Sequence, residues 1–244
     1  MRVYGFRVFI VVLLAGFFAT PASAYVPYLY SDTAVPVERG KSRLDFTVGF
    51  EKWSLKPRET RYIFDTELSY GLINNLEFTV QVPYVVRDPN GKGSRSGLGD
   101  LNLKAKIRFI KGRAANPVSM SGMILLKFPG CDEDKGLTPE CTGETDLGIK
   151  GIASKEFFPV TMHLNLGFIV VGNPPNSSLD DVFAYGLAFD MLTRVEFLHA
   201  VAELSGETNR DPDAKSDPHS LLIGLLYDID IKKSVSLAAD FGLT

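Results

Sequence analysis

The sequence predicts an all-β chain, an antiparallel up-and-down transmembrane β-barrel of about 12 strands, of which eleven are read directly and the closing one is left open. Three observations carry that expectation. Polar and apolar residues alternate with period two over segments of about 10–13 residues, whereas a strand in a soluble sheet usually runs about 5–6 and a tilted strand crossing a bilayer 9–11. Long and short connections take turns along the chain. No stretch shows the period of an amphipathic helix of ordinary length.

The first 24 residues, MRVYGFRVFIVVLLAGFFATPASA, stand apart. Arg2 and Arg7 lead into an apolar run from Val8 to Phe18, and the stretch closes on Ala22-Ser23-Ala24. This is the layout of a secretory signal peptide cut after Ala24. The run is shorter than the roughly 20 apolar residues that a membrane-crossing helix needs, and charged or polar residues interrupt every later run. Residues 25–41 then form a periplasmic lead-in and residues 42–244 the barrel. Without the leader, 24 basic residues face 29 acidic ones, a net charge of −5, and no basic block stands out, which argues against a nucleic-acid partner.

The strands follow in order. Residues 42–52 set Leu44, Phe46, Val48 and Phe50 against Arg43, Asp45, Thr47 and Glu51. Residues 60–71 set Tyr62, Phe64, Leu68 and Tyr70 against Arg61, Asp65, Glu67 and Ser69, and residues 75–86 set Leu76, Phe78, Val80, Val82 and Tyr84 against Glu77, Thr79 and Gln81. The stretch GLGDLNLKAKIRF over 97–109 is the clearest: Asp100, Asn102, Lys104, Lys106 and Arg108 occupy one face and Leu101, Leu103, Ala105, Ile107 and Phe109 the other. A helix would smear the two classes around its axis, whereas a strand separates them. Further strands are expected near 117–129, 144–156, 160–171, 181–192, 195–205, 219–229 and 233–243. In 195–205 Phe197 and Val201 share a face with His199 and Glu203, so a strand is expected there without a settled facing.

Such alternation fits a sheet between two solvents, either core and water or lipid and a polar lumen. Connection lengths favour the second. RDPNGKGSRSG, the cysteine loop, GNPPNSSLD and SGETNRDPDAKSDP alternate with LINN, GRAANP, FFP, LTR and IKK. An outer-membrane barrel gathers long loops at the outer surface and tight turns on the periplasmic side. Aromatic residues near strand ends (Tyr62, Tyr70, Tyr84, Phe128, Phe157, Phe158) fit two interfacial girdles. A soluble exported barrel that binds a lipid or another hydrophobic ligand is the alternative, but about eleven strands would then enclose a large greasy cavity.

GLGDLNLKAKIRF, the preceding ELSYGLINNLEFTVQVPYV and the later TDLGIKGIASKEF together make the chain resemble the outer-membrane proteins of the MetA-pathway of phenol degradation family, over roughly Leu44 to Leu243. The resemblance implies a β-barrel that helps small solutes, aromatic or hydrophobic ones among them, to cross the outer membrane of a Gram-negative bacterium. It implies outer-membrane lipid and lipopolysaccharide, the barrel-assembly machinery and a small-molecule solute as partners. Members commonly finish on a strand with a terminal aromatic; this chain reads DFGLT, so a closing strand is sought elsewhere, 25–38 being one place to look.

With the apolar faces outward, the lumen-lining candidates are Glu67, Glu77, Asp100, Lys104, Lys106, Arg108, Asp146, Lys150, His163 and Glu203. Ions in a confined lumen are costly unless compensated, so pairing across the walls is expected, either to plug the barrel or to select solutes. No catalytic residue, cofactor or metal is expected. His163 sits in MHLNLGF with no serine two positions on, which argues against an outer-membrane lipid-modifying enzyme, the third reading. Cys131 and Cys141 are expected to form a disulfide in an oxidising compartment, and closing that loop is worth roughly 3 kcal/mol. The acidic residues around them, Asp132, Glu133, Asp134 and Glu140, are read as a solvated run that could also meet a divalent cation and lipopolysaccharide.

Overall fold

The computed structural model describes residues 3–14, 31–53, 59–89, 93–113, 117–130, 142–173, 178–213, 216–230 and 233–243. Thirteen strands form one antiparallel sheet. In chain order they are β1 (Val3–Leu14), β2 (Ser42–Trp53), β3 (Glu59–Ile73), β4 (Leu76–Pro89), β5 (Arg95–Leu98), β6 (Leu101–Ile110), β7 (Val118–Phe128), β8 (Asp146–Phe157), β9 (Val160–Val170), β10 (Val182–Leu192), β11 (Leu198–Glu207), β12 (His219–Asp230) and β13 (Lys233–Leu243). From β1 to β4 and from β6 to β13 each strand pairs with the next, β4 pairs with β6, and β1 lies between β2 and β13, so the sheet closes on itself. β5 is a short addition to the outer half of β4, whose other half pairs with β6, and twelve strands therefore form the ring.

The closing position is not taken by residues 31–38, and residues 25–30 lie outside the described residues. Val3–Leu14 fills it, antiparallel to both neighbours, with Arg7 in register with Glu51 on one side and Asp240 on the other. This strand, VYGFRVFIVVLL, is apolar at both parities, unlike β2 or β6. Closure matters physically because an unpaired edge in hydrocarbon leaves N–H and C=O groups unsatisfied, at several kcal/mol each.

Facing follows the sequence. The exposed large apolar residues include Phe78, Ile107, Ile124, Ile149, Phe168, Ile223 and Leu237, all on the outer parity of their strands, while Asp45, Glu77, Lys106, Asp146, His163, Glu203 and Asp240 are buried on the opposite parity. The perimeter is therefore apolar and the axis polar, the arrangement of a barrel in lipid. Aromatics mark both ends: Tyr62, Tyr84 and Phe128 sit toward the long-loop rim, and Tyr70, Phe157 and Phe158 toward the tight-turn rim, Phe158 being 91% exposed.

Two boundaries shift from expectation. The 97–109 stretch breaks at Gly99 and Asp100, because Asp100 leaves the ladder to accept hydrogen bonds from the N–H groups of Gly130 (3.1 Å) and Thr142 (2.9 Å) and from the Thr142 hydroxyl (3.0 Å). A Cβ at Gly130 would lie 2.1 Å from the Gly99 carbonyl oxygen, so only glycine fits that crossing. Near 195–205 the strand begins at Leu198, since Phe197 has φ 63° and belongs to the turn; His199, Val201 and Glu203 then all face inward. Cys131, Cys141, Asp132, Glu133, Asp134 and Glu140 lie outside the described residues.

Ile124, midway along β7 and 53% exposed, tests the perimeter. Replacing it by Arg should lower the stability of the barrel in vesicles by about 2–4 kcal/mol, read as folded fraction across a denaturant series. An unchanged midpoint would place that face out of lipid.

Candidate functional site: the luminal wall and the segment across it

Side chains of the inner wall are paired into a continuous ionic belt. Arg43 on β2 contacts Asp45 (2.8 Å), the Ser69 hydroxyl (3.2 Å) and Glu67 on β3 (3.7 Å). Glu67 also holds Lys104 of β6 at 2.7 Å, and Glu77 of β4 holds Lys106 at 3.0 Å. Lys106 is only 2% exposed. Burial of these charges is tolerable because each finds an opposite charge across one or two strands. The belt arises from parity alone: odd positions of β2, β3 and β4 and even positions of β6 turn to the same axis, and the register brings their acids beside their bases.

Residues 31–37 lie against the inner wall of the barrel. The segment crosses the tight-turn half of the lumen from the β9–β10 wall to β4. Asn165 on β9 reads the backbone of Asp32 twice, its Oδ1 accepting from the Asp32 N–H and its Nδ2 donating to the Asp32 carbonyl, each at 2.9 Å. Lys150 on β8 donates to the Asp32 carboxylate at 2.7 Å. Ser154 accepts from the Ala34 N–H (2.8 Å), Ser121 donates to the Ala34 carbonyl (2.5 Å), and Glu77 accepts from the Val37 N–H (2.6 Å). The wall thus does for this extended segment what a partner strand would do. Where the chain leaves toward β2, the Arg39 backbone bridges Gly71 of β3, and a Cβ at Gly71 would come within 2.2 Å of the Glu38 carbonyl oxygen.

The sequence-derived candidates separate into three groups. Glu67, Glu77, Lys104, Lys106 and Lys150 meet in the belt and against the segment. Asp100 and Asp146 belong to the long-loop mouth, where Lys127 lies 3.5 Å from the first and 2.8 Å from the second. Arg108 lies at the opposite end, its guanidinium directed to the Asn74 carbonyl at 3.4 Å and away from the belt. Glu203 is fully buried on β11. His163 Nδ1 shares a 2.7 Å hydrogen bond with the Ser154 hydroxyl, directly across the ladder, a serine that a search along its own strand misses. That hydroxyl also accepts the Ala34 N–H, so the pair is engaged in holding the segment.

Other luminal groups were less visible in the sequence. His199 bridges two carboxylates near the tight-turn rim, Asp190 at 2.8 Å and Asp228 at 3.3 Å. Along β10–β13 the inner wall changes character: Ala188, Val201, Leu222 and Leu226 form a buried apolar strip with Ala238 beside it. The inner wall of β10–β13 therefore sets an apolar strip among its own ionic groups, His199, Asp190, Asp228 and Glu203.

With this geometry in view, the likenesses can be placed. No family model and no curated protein matches the sequence. Among solved structures, the barrel is similar to the COG4313 outer membrane channel from Pseudomonas putida F1, with a TM-score of 0.54 and 12% identity over 100% of this chain and 97% of that one. This likeness establishes the fold. The CymD monoaromatic hydrocarbon channel is more distant, at a TM-score of 0.43 and 8% identity over 99% of this chain and 88% of that one.

The Asp32 carboxylate is pulled upward in pKa by burial, but Lys150, with Lys104 and Lys106 behind it, outweighs burial and holds the carboxyl far below its ordinary value near 4. A depressed folded pKa gives a contribution that is fully present above the unfolded value and lost only as pH falls through the lower, folded one. Docking of residues 31–37 should therefore stay constant from pH 8 to 5, read as steady conductance in a planar bilayer. Asp32→Asn should loosen the segment at pH 7 by about 2 kcal/mol, a change of about thirtyfold in its docked-to-undocked ratio. A wild-type barrel that opens between pH 7 and 5 would show that another group holds the segment.

Proposed function

We propose that this protein is an outer-membrane channel for the passive passage of small solutes, aromatic or hydrophobic ones among them, and that it is not an enzyme. One observation carries this reading: a closed barrel, apolar outside, encloses a polar lumen that, among the described residues, is narrowed by the short segment 31–37. A channel needs a path that can be filled and vacated at little cost, and residues 31–37 are held by hydrogen bonds and by the Lys150–Asp32 ion pair. The ionic belt supplies charges that would orient a passing solute. The COG4313 neighbour is described as an outer membrane channel, which supports the same assignment. The soluble-barrel alternative would need the apolar face inward, opposite to the burial pattern.

Residues 1–24 act as the export leader in this reading. Val3–Leu14 supply β1 in the uncut chain, and cutting after Ala24 removes that strand, so that the mature ring would have to close between β2 and β13. Intact mass of protein extracted from outer membranes distinguishes the two: a mass beginning at Tyr25 supports the leader, and a mass that includes Met1 assigns Val3–Leu14 to the ring. Outer-membrane lipid, lipopolysaccharide and the assembly machinery are the partners of such a barrel, and the proposed Cys131–Cys141 disulfide would restrain its outer loop.

Lys104 and Lys106 line the path in this reading. Changing Lys104 to Glu should move the reversal potential of the reconstituted channel toward cation preference, because it replaces a compensated positive charge with an excess of negative charge beside Glu67. Identical reversal potentials for wild type and variant would remove Lys104 from the conduction path.

A further inference from the structure

On the inner parity of β2–β5 the register lines up four charged residues in one row near the long-loop rim. Glu51 lies opposite Arg61, Arg61 opposite Arg87 and Arg87 opposite Arg95. Their facing follows from the positions around them: Ser69, Glu77, Thr79 and Val85 on the same parity are buried, whereas Tyr62, Tyr84 and Leu98 on the other are exposed. Residues directly opposite on neighbouring strands hold their Cβ atoms about 4.5–5.5 Å apart, and like charges so placed destabilise a sheet. This row contains two such juxtapositions, Arg61 with Arg87 and Arg87 with Arg95. Glu51 meets Arg61 at 3.6 Å, and the row still carries three guanidinium groups to one carboxylate. Exposure rises along it, from buried Arg61 through half-buried Arg87 to exposed Arg95, so the row leads from the wall out to the mouth.

The other long connections have the opposite sign. Residues 51–61 and 87–95, which hold the row and the sequence beside it, contain seven bases and three acids. Residues 131–145, 172–181 and 207–218 contain three bases and eleven acids. In a chain of net charge −3, positive charge is thus gathered at one sector of the rim. The next register position of that parity toward the loop is Glu59, opposite Trp53 and Pro89. One row further into the barrel, Gly49, Ile63, Val85 and Gly97 stand in register, without charge and with two positions that carry no side chain. Beyond them on β3 come the acids Asp65, hydrogen-bonded to Gln81, and Glu67, hydrogen-bonded to Lys104. Cations, an uncharged row and acids therefore follow one another from the mouth inward.

We propose that the row of Arg61, Arg87 and Arg95 binds the carboxylate of a small monoanionic organic solute that enters from the long-loop side. Guanidinium forks donate paired N–H groups to both oxygens of a carboxylate, and the added negative charge relieves the repulsion between neighbouring arginines. Gly49 and Gly97 leave the wall bare on either side of Ile63 and Val85, and the apolar body of the solute lies along that row. Asp65 and Glu67 oppose a second negative charge at the inner end, so a dianion fits worse. An inorganic phosphate would satisfy the arginines and leave the uncharged row uncovered. The site belongs to β2–β5 and is independent of β1. The inference rests on the channel reading, whose solute class it narrows, and its readout is binding and not conductance.

The test is equilibrium binding of radiolabelled benzoate to the full-length protein in detergent, read by scintillation proximity. Unlabelled benzoate, benzyl alcohol, terephthalate and inorganic phosphate serve as competitors. Benzoate should displace the label about tenfold more strongly than any of the other three, the equivalent of one charge-assisted contact. Arg87→Gln with Arg95→Gln removes both outer forks and should weaken benzoate binding by about ten- to a hundredfold. Lys155→Gln removes a positive charge on the lipid-facing parity of β8, beside Phe157 at the tight-turn end, and should leave benzoate binding unchanged. Heat-modifiable migration checks that each variant is folded. Absence of saturable benzoate binding by wild type, equal competition by any of the other three compounds, or equal affinity of wild type and the double variant overturns the proposal. The channel reading fails separately, on the absence of conductance from the reconstituted barrel.

Discussion

In hydrocarbon no water can satisfy a backbone N–H or C=O, and the rest of this structure depends on that constraint. It requires every ladder to be completed, and in the uncut chain a segment as unlike its neighbours as Val3–Leu14 takes the position between β2 and β13. Backbone pairing is indifferent to side chains, so a leader-like sequence can complete a ring that its side-chain pattern does not specify. Closure then fixes an inside and an outside, and parity distributes every later residue between them.

Charge inside the ring obeys a second constraint that follows from the first. A twelve-stranded lumen is too narrow to give each ion bulk hydration, so acids and bases on the inner parity must compensate one another. The register of β2, β3, β4 and β6 achieves this locally through Arg43 with Asp45 and Glu67, Lys104 with Glu67, and Lys106 with Glu77. Lys150 stands at the edge of that system, and its carboxylate partner comes from the crossing segment. The segment is therefore part of the charge balance of the wall, and displacing it leaves a cation without its nearest acid.

Period-two alternation made the strands and their facing legible, because one physical cause, lipid outside and a polar lumen inside, acts on every residue of a strand alike. The eleven strands, the alternation of loop length and the inward turn of Glu67, Glu77, Lys104, Lys106, Lys150 and His163 all follow from it. What lacked a period was not legible. Ser31–Val37 carries no alternation, and its place is set by contacts with Asn165, Ser154 and Ser121, each more than 80 residues away in sequence. The Ser154–His163 contact was missed for a related reason: it is made across the ladder, and only the register of β8 and β9 reveals it. The break at Asp100 was hidden because an acid on the inner parity looks the same whether it faces an ion pair or caps a loop.

The two sides of the lumen also constrain what the wall can be made of. On β2–β8 long charged side chains fill the interior, and the outer face carries large apolar groups such as Phe78, Ile107 and Ile149. On β10–β13 both faces include small residues, Ala188 and Ala238 toward the axis and Ala200, Ala202 and Ala239 toward lipid. Small residues on both faces make a thin wall, and thinness has a physical cost: each missing side chain forgoes dispersion contacts that nothing else in the sheet replaces. On the inside those contacts are recovered by the apolar cluster of Leu222, Leu226 and Val201. On the outside only the hydrocarbon of the bilayer can supply them, so this stretch of wall owes its packing to lipid on one face and to its own side chains on the other.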